Sequence, residues 1–452
     1  MAAQSSYTVT EIVEGAGIGR PVLKIIALCF LLMVCDSYDV SALSYAAPSL
    51  IKAWQLSSAS MGLLFSAGMF GLLVGSVVFG RLGDRVGRKR AMMLGALSFG
   101  VLTAATGFAQ SANQLLVLRF FATLGLGGAV PNAVALITEF VPRARRITAV
   151  GAIFAGYSGG GIVAGVAAIY IVPAYGWRML FFAGGGLSLI TGLAFALLLP
   201  ESLRYLVTLP LKRAQAVKVA TYLRPDLQLG TEAQVVPDAS SVEGPGRLAD
   251  LFRGPLGAIT PMMWLIYVAN SITVFSLVSW MPVVVEAIGL TRGSAALATA
   301  SLFAGSAVGG VIGGWFADRF GLLAVGAMAV LAFPTVAAIG MLGGASGLLV
   351  PMTFLAGCFA FGAQTCLHGV VGSLYPTHIR ANGVGWAIGI AKIGSILGPF
   401  IGGLLLPILS SGQLFLAAAC PLVLVAVLTF MLKMFLASSD KRKTHPVTQS
   451  AG

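Results

Sequence analysis

The sequence predicts an all-α integral membrane protein with twelve transmembrane helices in two pseudo-symmetric six-helix bundles. Three observations predict it. Of 452 residues, 58% are hydrophobic and only 10% charged, with a mean hydropathy of +0.93, far from the balance of a soluble globular chain. Twelve stretches reach the roughly 20 apolar residues that a spanning helix needs, and a helix is required because lipid offers the backbone no hydrogen-bond partners. The two halves also repeat each other's motifs.

The expected spans are 24–47, 60–80, 91–109, 115–138, 147–172, 178–199, 258–283, 294–315, 322–343, 347–373, 381–406 and 411–436. Glycine, at 58 residues, is abundant because small residues let membrane helices pack backbone to backbone. Residues 201–257 break the pattern: their middle, "RPDLQLGTEAQVVPDASSVEGPGR", is polar, rich in Pro, Gly and Ser, and without periodic apolar positions. That composition reads as a flexible linker, preceded by a short helix near Arg213–Leu223. The organisation is therefore an N-terminal bundle at 1–200, a linker at 201–257, a C-terminal bundle at 258–437 and a tail at 438–452.

"GRLGDRVGRKR" from Gly80 carries the pattern G-x-x-x-D-R-x-G, and "GWFADRFG" from Gly314 repeats it between spans eight and nine. A second pair, "GYSGGGIVAG" from Gly156 and "GSILGPFIGG" from Gly394, lies downstream at almost the same offset. Two similarly spaced anchors argue for duplication, and an even number of spans per half gives parallel repeats.

A net charge of +13 raises nucleic acid as a partner, and its distribution argues against one. Arg81, Arg85, Arg88, Lys89, Arg90, Arg143, Arg145, Arg146, Arg319, Arg380, Lys441, Arg442 and Lys443 fall on one side of the predicted topology, and only Lys52, Arg178 and Arg292 on the other. This is the positive-inside pattern, with both termini cytoplasmic and the lipid bilayer as partner. Polar residues with Glu11 and Glu14 precede the first span in place of the basic start of a cleaved signal. All five cysteines (Cys29, Cys35, Cys358, Cys366, Cys420) lie in apolar spans without metal-ligand spacing, and no disulfide framework is expected.

Several stretches carry a resemblance: "GRLGDRVGRKR" between spans two and three, Asp36-Ser37-Tyr38-Asp39 in span one, "RFFATLGLGGAVPNAVALITE" in span four, "PESLRYL" after span six, and "YPTHIRANGVGWAIGIAKIGSILGP" entering span eleven. With the 6 + 6 arrangement, the chain resembles the major facilitator superfamily and, within it, the bacterial aromatic acid:proton symporters of the 4-hydroxybenzoate and benzoate type. Two departures concern the pocket. Ser37 stands where that family usually has glycine, and Lys392 where related members often have arginine. The resemblance implies a monomeric secondary transporter of the bacterial inner membrane. It would take up a small organic anion, an aromatic carboxylate, with protons, by rocking of the two halves around a midplane site, and without a cofactor. It also implies a conformational latch in which Asp84 engages a helix N-terminus of the other half, with Arg85, Arg88, Glu139 and the second copy, Asp318 and Arg319, in the same network. Contact with lipid phosphates is the other use open to these basic residues.

Charges inside spans are costly and functional by default. Asp36 and Asp39, three residues apart, project about 60° apart on a helix. They are the expected proton-coupling groups, titrating as a coupled unit; a salt bridge to a neighbouring helix is the alternative. Arg119 opens span four, and Lys392 lies well inside span eleven. Both are candidates for a substrate carboxylate, and permanent pairing with Asp36 or Asp39 stays open for Arg119. Gln364 and His368, four apart and so on one helix face, would orient the substrate. Tyr38 and Trp386, with Tyr45, Trp280 and Phe361, are candidate ring contacts that packing explains equally well.

No Ser/His/Asp cluster, metal-ligand spacing or nucleotide-binding loop appears, so neither an enzyme nor an ATP-driven pump is expected. Alternatives on the same scaffold are a carrier of another organic anion, polyol or sugar acid, a proton-driven exporter, and a membrane sensor without turnover.

Overall fold

The computed structural model describes residues 6–227, 234–238, 248–342, 346–376 and 378–444. A short strand β1 (Ser6–Thr8) and helix α1 (Val9–Ala16) precede six long helices: α2 (Arg20–Trp54), α3 (Ser58–Val86), α4 (Arg88–Thr106), α5 (Ala112–Phe140), α6 (Arg146–Tyr175) and α7 (Arg178–Leu198). Two short helices, α8 (Leu203–Val207) and α9 (Arg213–Leu223), and strand β2 (Gln234–Val236) follow. Six more long helices complete the chain: α10 (Leu256–Ala287), α11 (Arg292–Phe320), α12 (Leu322–Met341), α13 (Ser346–Val371), α14 (Arg380–Leu405) and α15 (Ser411–Thr444).

Among the described residues, eleven helices are long and apolar enough to cross a membrane by composition alone. The twelfth expected span is α4, whose first three residues are Arg88, Lys89 and Arg90. Most helices outrun their apolar stretches, since polar ends can be capped outside hydrocarbon. Ser57, Ser111 and Thr291, for example, accept hydrogen bonds from the third backbone amide of the helices they start. The side chains of Lys441, Arg442 and Lys443 in the expected tail, and residues 228–233 and 239–247 of the expected linker, lie outside the described residues.

The chain forms two compact units, 1–244 and 245–452. In the first, α2 packs on α6 and α7, α3 on α5, and α4 on α5 and α7. In the second, α10 packs on α14 and α15, α11 on α13, and α12 on α13 and α15. Every pairing recurs eight helices later, so the repeat seen in the motifs extends to the packing. The repeated "GYSGGGIVAG" and "GSILGPFIGG" stretches show why small residues are needed. A Cβ on Gly160 would sit 2.3 Å from the Val34 carbonyl of α2, and one on Gly398 2.6 Å from the Ile272 carbonyl of α10. The two loop motifs likewise end their helices in one way: Gly87 closes α3 at φ 104°, and Gly321 closes α11 at φ 56°, conformations costly for other residues.

Part of the stretch read as a flexible linker pairs with the N-terminal segment. Gln234–Val236 pairs in parallel with Ser6–Thr8, and three residues per strand are too few to show a period. Thr10 donates from its amide and its hydroxyl to Asp238, at 3.1 and 2.8 Å, while Glu14 accepts from the Arg143 amide at 3.0 Å. The N-terminal segment is thus clasped to the linker and to the α5–α6 turn.

Thr8 and Glu11 close the start of α1 as a reciprocal capping box. The backbone amide of Thr8, and then its hydroxyl, hold the exposed Glu11 carboxyl below its usual 4.5. A carboxyl lowered in the folded state contributes stability above its unfolded value, and that contribution disappears as pH falls through the folded value. Hydrogen-exchange protection of residues 6–16 is therefore expected to hold from neutrality down to about pH 4.5 and to decline below it. Glu11→Gln keeps the capping geometry and should flatten that dependence.

Candidate functional site

The first unit buries an ion pair between helices. Arg119 of α5 donates through its two terminal nitrogens to both oxygens of Asp39 on α2, at 2.6 and 2.7 Å, and the side chains are 2% and 1% exposed. Parallel, charge-assisted bonds of this kind are among the strongest available to side chains. Gly68 of α3 borders the guanidinium, and the Phe181 ring lies 6.0 Å away. Arg119 Nε has no hydrogen-bond partner among the described residues. The cation is thus neutralised by a single carboxylate without saturating its donors.

Asp36 is also buried, at 7% exposed, but it faces other neighbours, with Tyr157 of α6 within electrostatic reach. Helical spacing places the two carboxylates near one another, and packing then sets Asp39 against Arg119 of α5. Tyr38, between them, is 3% exposed. Its hydroxyl donates to the Leu180 carbonyl at 3.2 Å, and its ring fills the space left by Gly184. Tyr38 is therefore built into the α2–α7 packing in this structure, and lines no open wall.

The second unit gathers uncharged polar groups and one cation. Lys392 of α14 is half-buried, and no described residue forms an ion pair with it. It lies within electrostatic reach of His368 on α13. Gln364 and His368 share a face as expected, their side-chain nitrogens 3.4 Å apart. Behind them stand two residues of α10 that the sequence reading missed, Asn270 and Tyr267, both fully buried. Asn270 donates to Gln364 Oε1 at 2.6 Å, and the Tyr267 hydroxyl is 3.2 Å from His368 Nδ1. Their three-residue spacing inside an apolar helix is the signal that marks them. Trp386 remains 41% exposed, its ring 6.2 Å from that of Trp264.

The expected latch residues of the first unit come together at one end of its bundle. Arg88 meets Asp84 at 2.6 Å, Glu139 at 3.7 Å and the buried Asn132 Oδ1 at 3.3 Å. Glu139 in turn accepts from the Ser202 hydroxyl, and Arg85 joins through its carbonyl, which accepts from the Tyr205 hydroxyl at 3.0 Å. Glu201 accepts from the Lys89 amide at 3.0 Å, placing a carboxylate at the positive end of α4. Glu201, Ser202 and Tyr205 belong to the "PESLRYL" stretch noted in the sequence, where none of them was assigned a role. In the second unit, Leu322 stands at the position of Arg88. Asp318 and Arg319 are exposed, and Arg319 lies over the rings of Trp315 and Phe320 at 5.6 and 5.7 Å. The acid–base hub of the first copy thus has no counterpart arginine in the second.

Comparison with known proteins agrees with this architecture. The chain matches the Major Facilitator Superfamily over residues 29–236 and 263–450. It is 33% identical over 384 residues to the 4-hydroxybenzoate transporter PcaK of Pseudomonas aeruginosa, covering 85% of this chain and 86% of the relative. It is 29% identical over 442 residues to the benzoate transport protein of Acinetobacter baylyi, covering 94% and 91%. Among solved structures, a bacterial homologue of the human lysosomal transporter Spinster superposes with a TM-score of 0.72 at 17% identity, covering 93% and 99% of the two chains. The repeated packing and the sequence matches agree: this is a membrane transporter and not an enzyme, and the chain belongs to the major facilitator superfamily, in the same branch as these aromatic-acid transporters.

Proposed function

We propose that the protein carries a small aromatic carboxylate, of the benzoate or hydroxybenzoate kind, inward across a bacterial inner membrane together with protons, by alternating access and with both termini cytoplasmic. Chief support is the Asp39–Arg119 pair, fully buried in an apolar bundle. Such a pair is weak evidence of a purely stabilising role, because desolvation offsets much of the attraction. A proton arriving on Asp39 would turn it from an acceptor into a neutral acid and release a guanidinium with donors to spare. Asp36, near Tyr157, is the second proton site in this reading. Lys392, a half-buried cation without an ion-pair partner among the described residues, supplies the charge that draws the substrate carboxylate to the second unit. The relatives named for 4-hydroxybenzoate and benzoate support the substrate class. In the same reading the Asp84–Arg88–Glu139 hub acts as the latch of the conformational cycle.

The charge balance constrains the energetics. One elementary charge is worth about 2.3 kcal/mol per 100 mV, yet a monoanion moving with one proton carries no net charge and draws only on the pH gradient. Two protons, for which Asp36 and Asp39 provide sites, would recruit the membrane potential as well. Membrane vesicles containing the protein should accumulate labelled 4-hydroxybenzoate or benzoate under an inward proton gradient, and a protonophore should abolish the accumulation. Accumulation only under the opposite gradient, or binding without accumulation, would overturn the reading.

A further inference from the structure

We infer that Gln364 and His368 form a subsite for a phenolic hydroxyl on the substrate ring, and that Asn270 and Tyr267 hold the two side chains in register for it. The inference rests on the aromatic-carboxylate reading and specifies which ring that site prefers. The geometry has two tiers. Gln364 and His368 are the accessible tier, and the fully buried Asn270 and Tyr267 stand behind them.

Each buried residue commits one atom of its partner. Asn270 Nδ2 donates to Gln364 Oε1 at 2.6 Å, which occupies the acceptor end of that amide and leaves its NH2 group to donate. The Tyr267 hydroxyl engages His368 Nδ1 at 3.2 Å, which leaves Nε2 as the ring nitrogen available to a ligand. The inference takes the tautomer in which Nδ1–H donates to the Tyr267 oxygen, and in that tautomer Nε2 is an acceptor. Gln364 Nε2 and His368 Nε2 lie 3.4 Å apart, longer than a well-formed N–H···N contact. In that tautomer the pair presents one donor and one acceptor, weakly engaged with each other.

A phenolic hydroxyl is the ring substituent that answers both, accepting from the amide while donating to the imidazole. A carboxylate has only acceptors and would leave His368 Nε2 facing a negative oxygen; its counterpart is Lys392. An unsubstituted ring edge answers neither group. Asn270 Oδ1, with no hydrogen-bond partner among the described residues, shows that the polar string is not closed on itself. Sites that hydrogen-bond a substrate hydroxyl discriminate against analogues lacking it far more strongly than apolar pockets discriminate by size.

The test compares KM for benzoate with KM for 2-, 3- and 4-hydroxybenzoate in vesicle uptake, in the full-length protein and in Gln364→Met and Tyr267→Phe. Wild type should favour one hydroxylated isomer over benzoate, and each substitution should shrink that KM ratio by roughly tenfold, the equivalent of one hydrogen bond. A merely structural role for these residues would weaken all four acids in parallel, leave the ratio constant and overturn the inference. So would a wild type that shows no preference for any hydroxylated ring. Failure of wild type to take up any of the four acids would instead overturn the aromatic-carboxylate reading itself, a distinct result.

Discussion

Asp39→Asn is expected to abolish proton-driven accumulation of substrate. Asparagine keeps the size of the side chain and cannot exchange a proton, so the group that would take and release the coupling ion is gone. The substitution also leaves Arg119 buried and uncompensated, and breaking one side of a buried pair costs about 3–5 kcal/mol. A drop in the amount of protein in the membrane is therefore expected for the single variant, and it would obscure the functional loss. The double variant Asp39→Asn with Arg119→Gln separates the two effects. Two neutral amides can hydrogen-bond across the same α2–α5 gap without burying a net charge, and replacing both partners of a buried pair costs far less than replacing one. Its level in the membrane should approach that of wild type, while uptake under an imposed pH gradient stays at the level of empty vesicles. Near-normal accumulation by the double variant would show that the pair only fastens the two helices. Asp36→Asn removes the other carboxylate without stranding Arg119. It is expected to lose gradient-driven accumulation with a smaller fall in protein level, and full activity would remove Asp36 from the coupling.

Which of the two carboxylates meets Arg119 illustrates what the sequence could and could not disclose. Spacing of three residues places Asp36 and Asp39 on adjacent lines of one helix, and that much is legible. The partner lies 80 positions away on α5, and which helix fills which side of α2 is decided by packing between distant segments. The spans themselves were legible because lipid imposes one rule on every stretch, and the duplication because its glycines recur for the same steric reason at Gly160 and Gly398. Helix α4 was legible as a repeat unit even though its basic first turn lowers its apolar signal. The Arg88 hub was only half legible: Glu139 stood out as an acid at the end of a span, whereas Asn132, seven residues before it on α5, and Glu201 in "PESLRYL" lie in stretches the sequence marks without showing that the start of α4 would meet them. Asn270 and Tyr267 carried a readable mark, polar groups three apart in an apolar helix, matched by Gln364 and His368 four apart on another. Pairing those two lines required the packing of α10 against α13.

Lys392→Ala is expected to raise KM for the substrate carboxylate by roughly tenfold to a hundredfold, the range spanned by a hydrogen bond to a charged group of about 1.5–3 kcal/mol. The expectation follows from the ammonium's setting. It sits half-buried on α14 with no ion-pair partner among the described residues, so an arriving anion gains its attraction without first displacing an acid. Arg119 differs in this respect, since its carboxylate is already in place. Lys392→Arg retains the charge, though a planar fork replaces a compact ammonium, and should recover most of the affinity with altered preference among acids. Neutral competitors give the independent check. Benzamide, with the same ring and no charge, should compete poorly against wild type, and its relative potency should rise in Lys392→Ala as the advantage of the anion disappears. An unchanged KM together with an unchanged benzamide-to-benzoate ratio would place Lys392 outside the binding site. The substrate's charge would then have to be met by Arg119 alone, and only once a proton on Asp39 had released it.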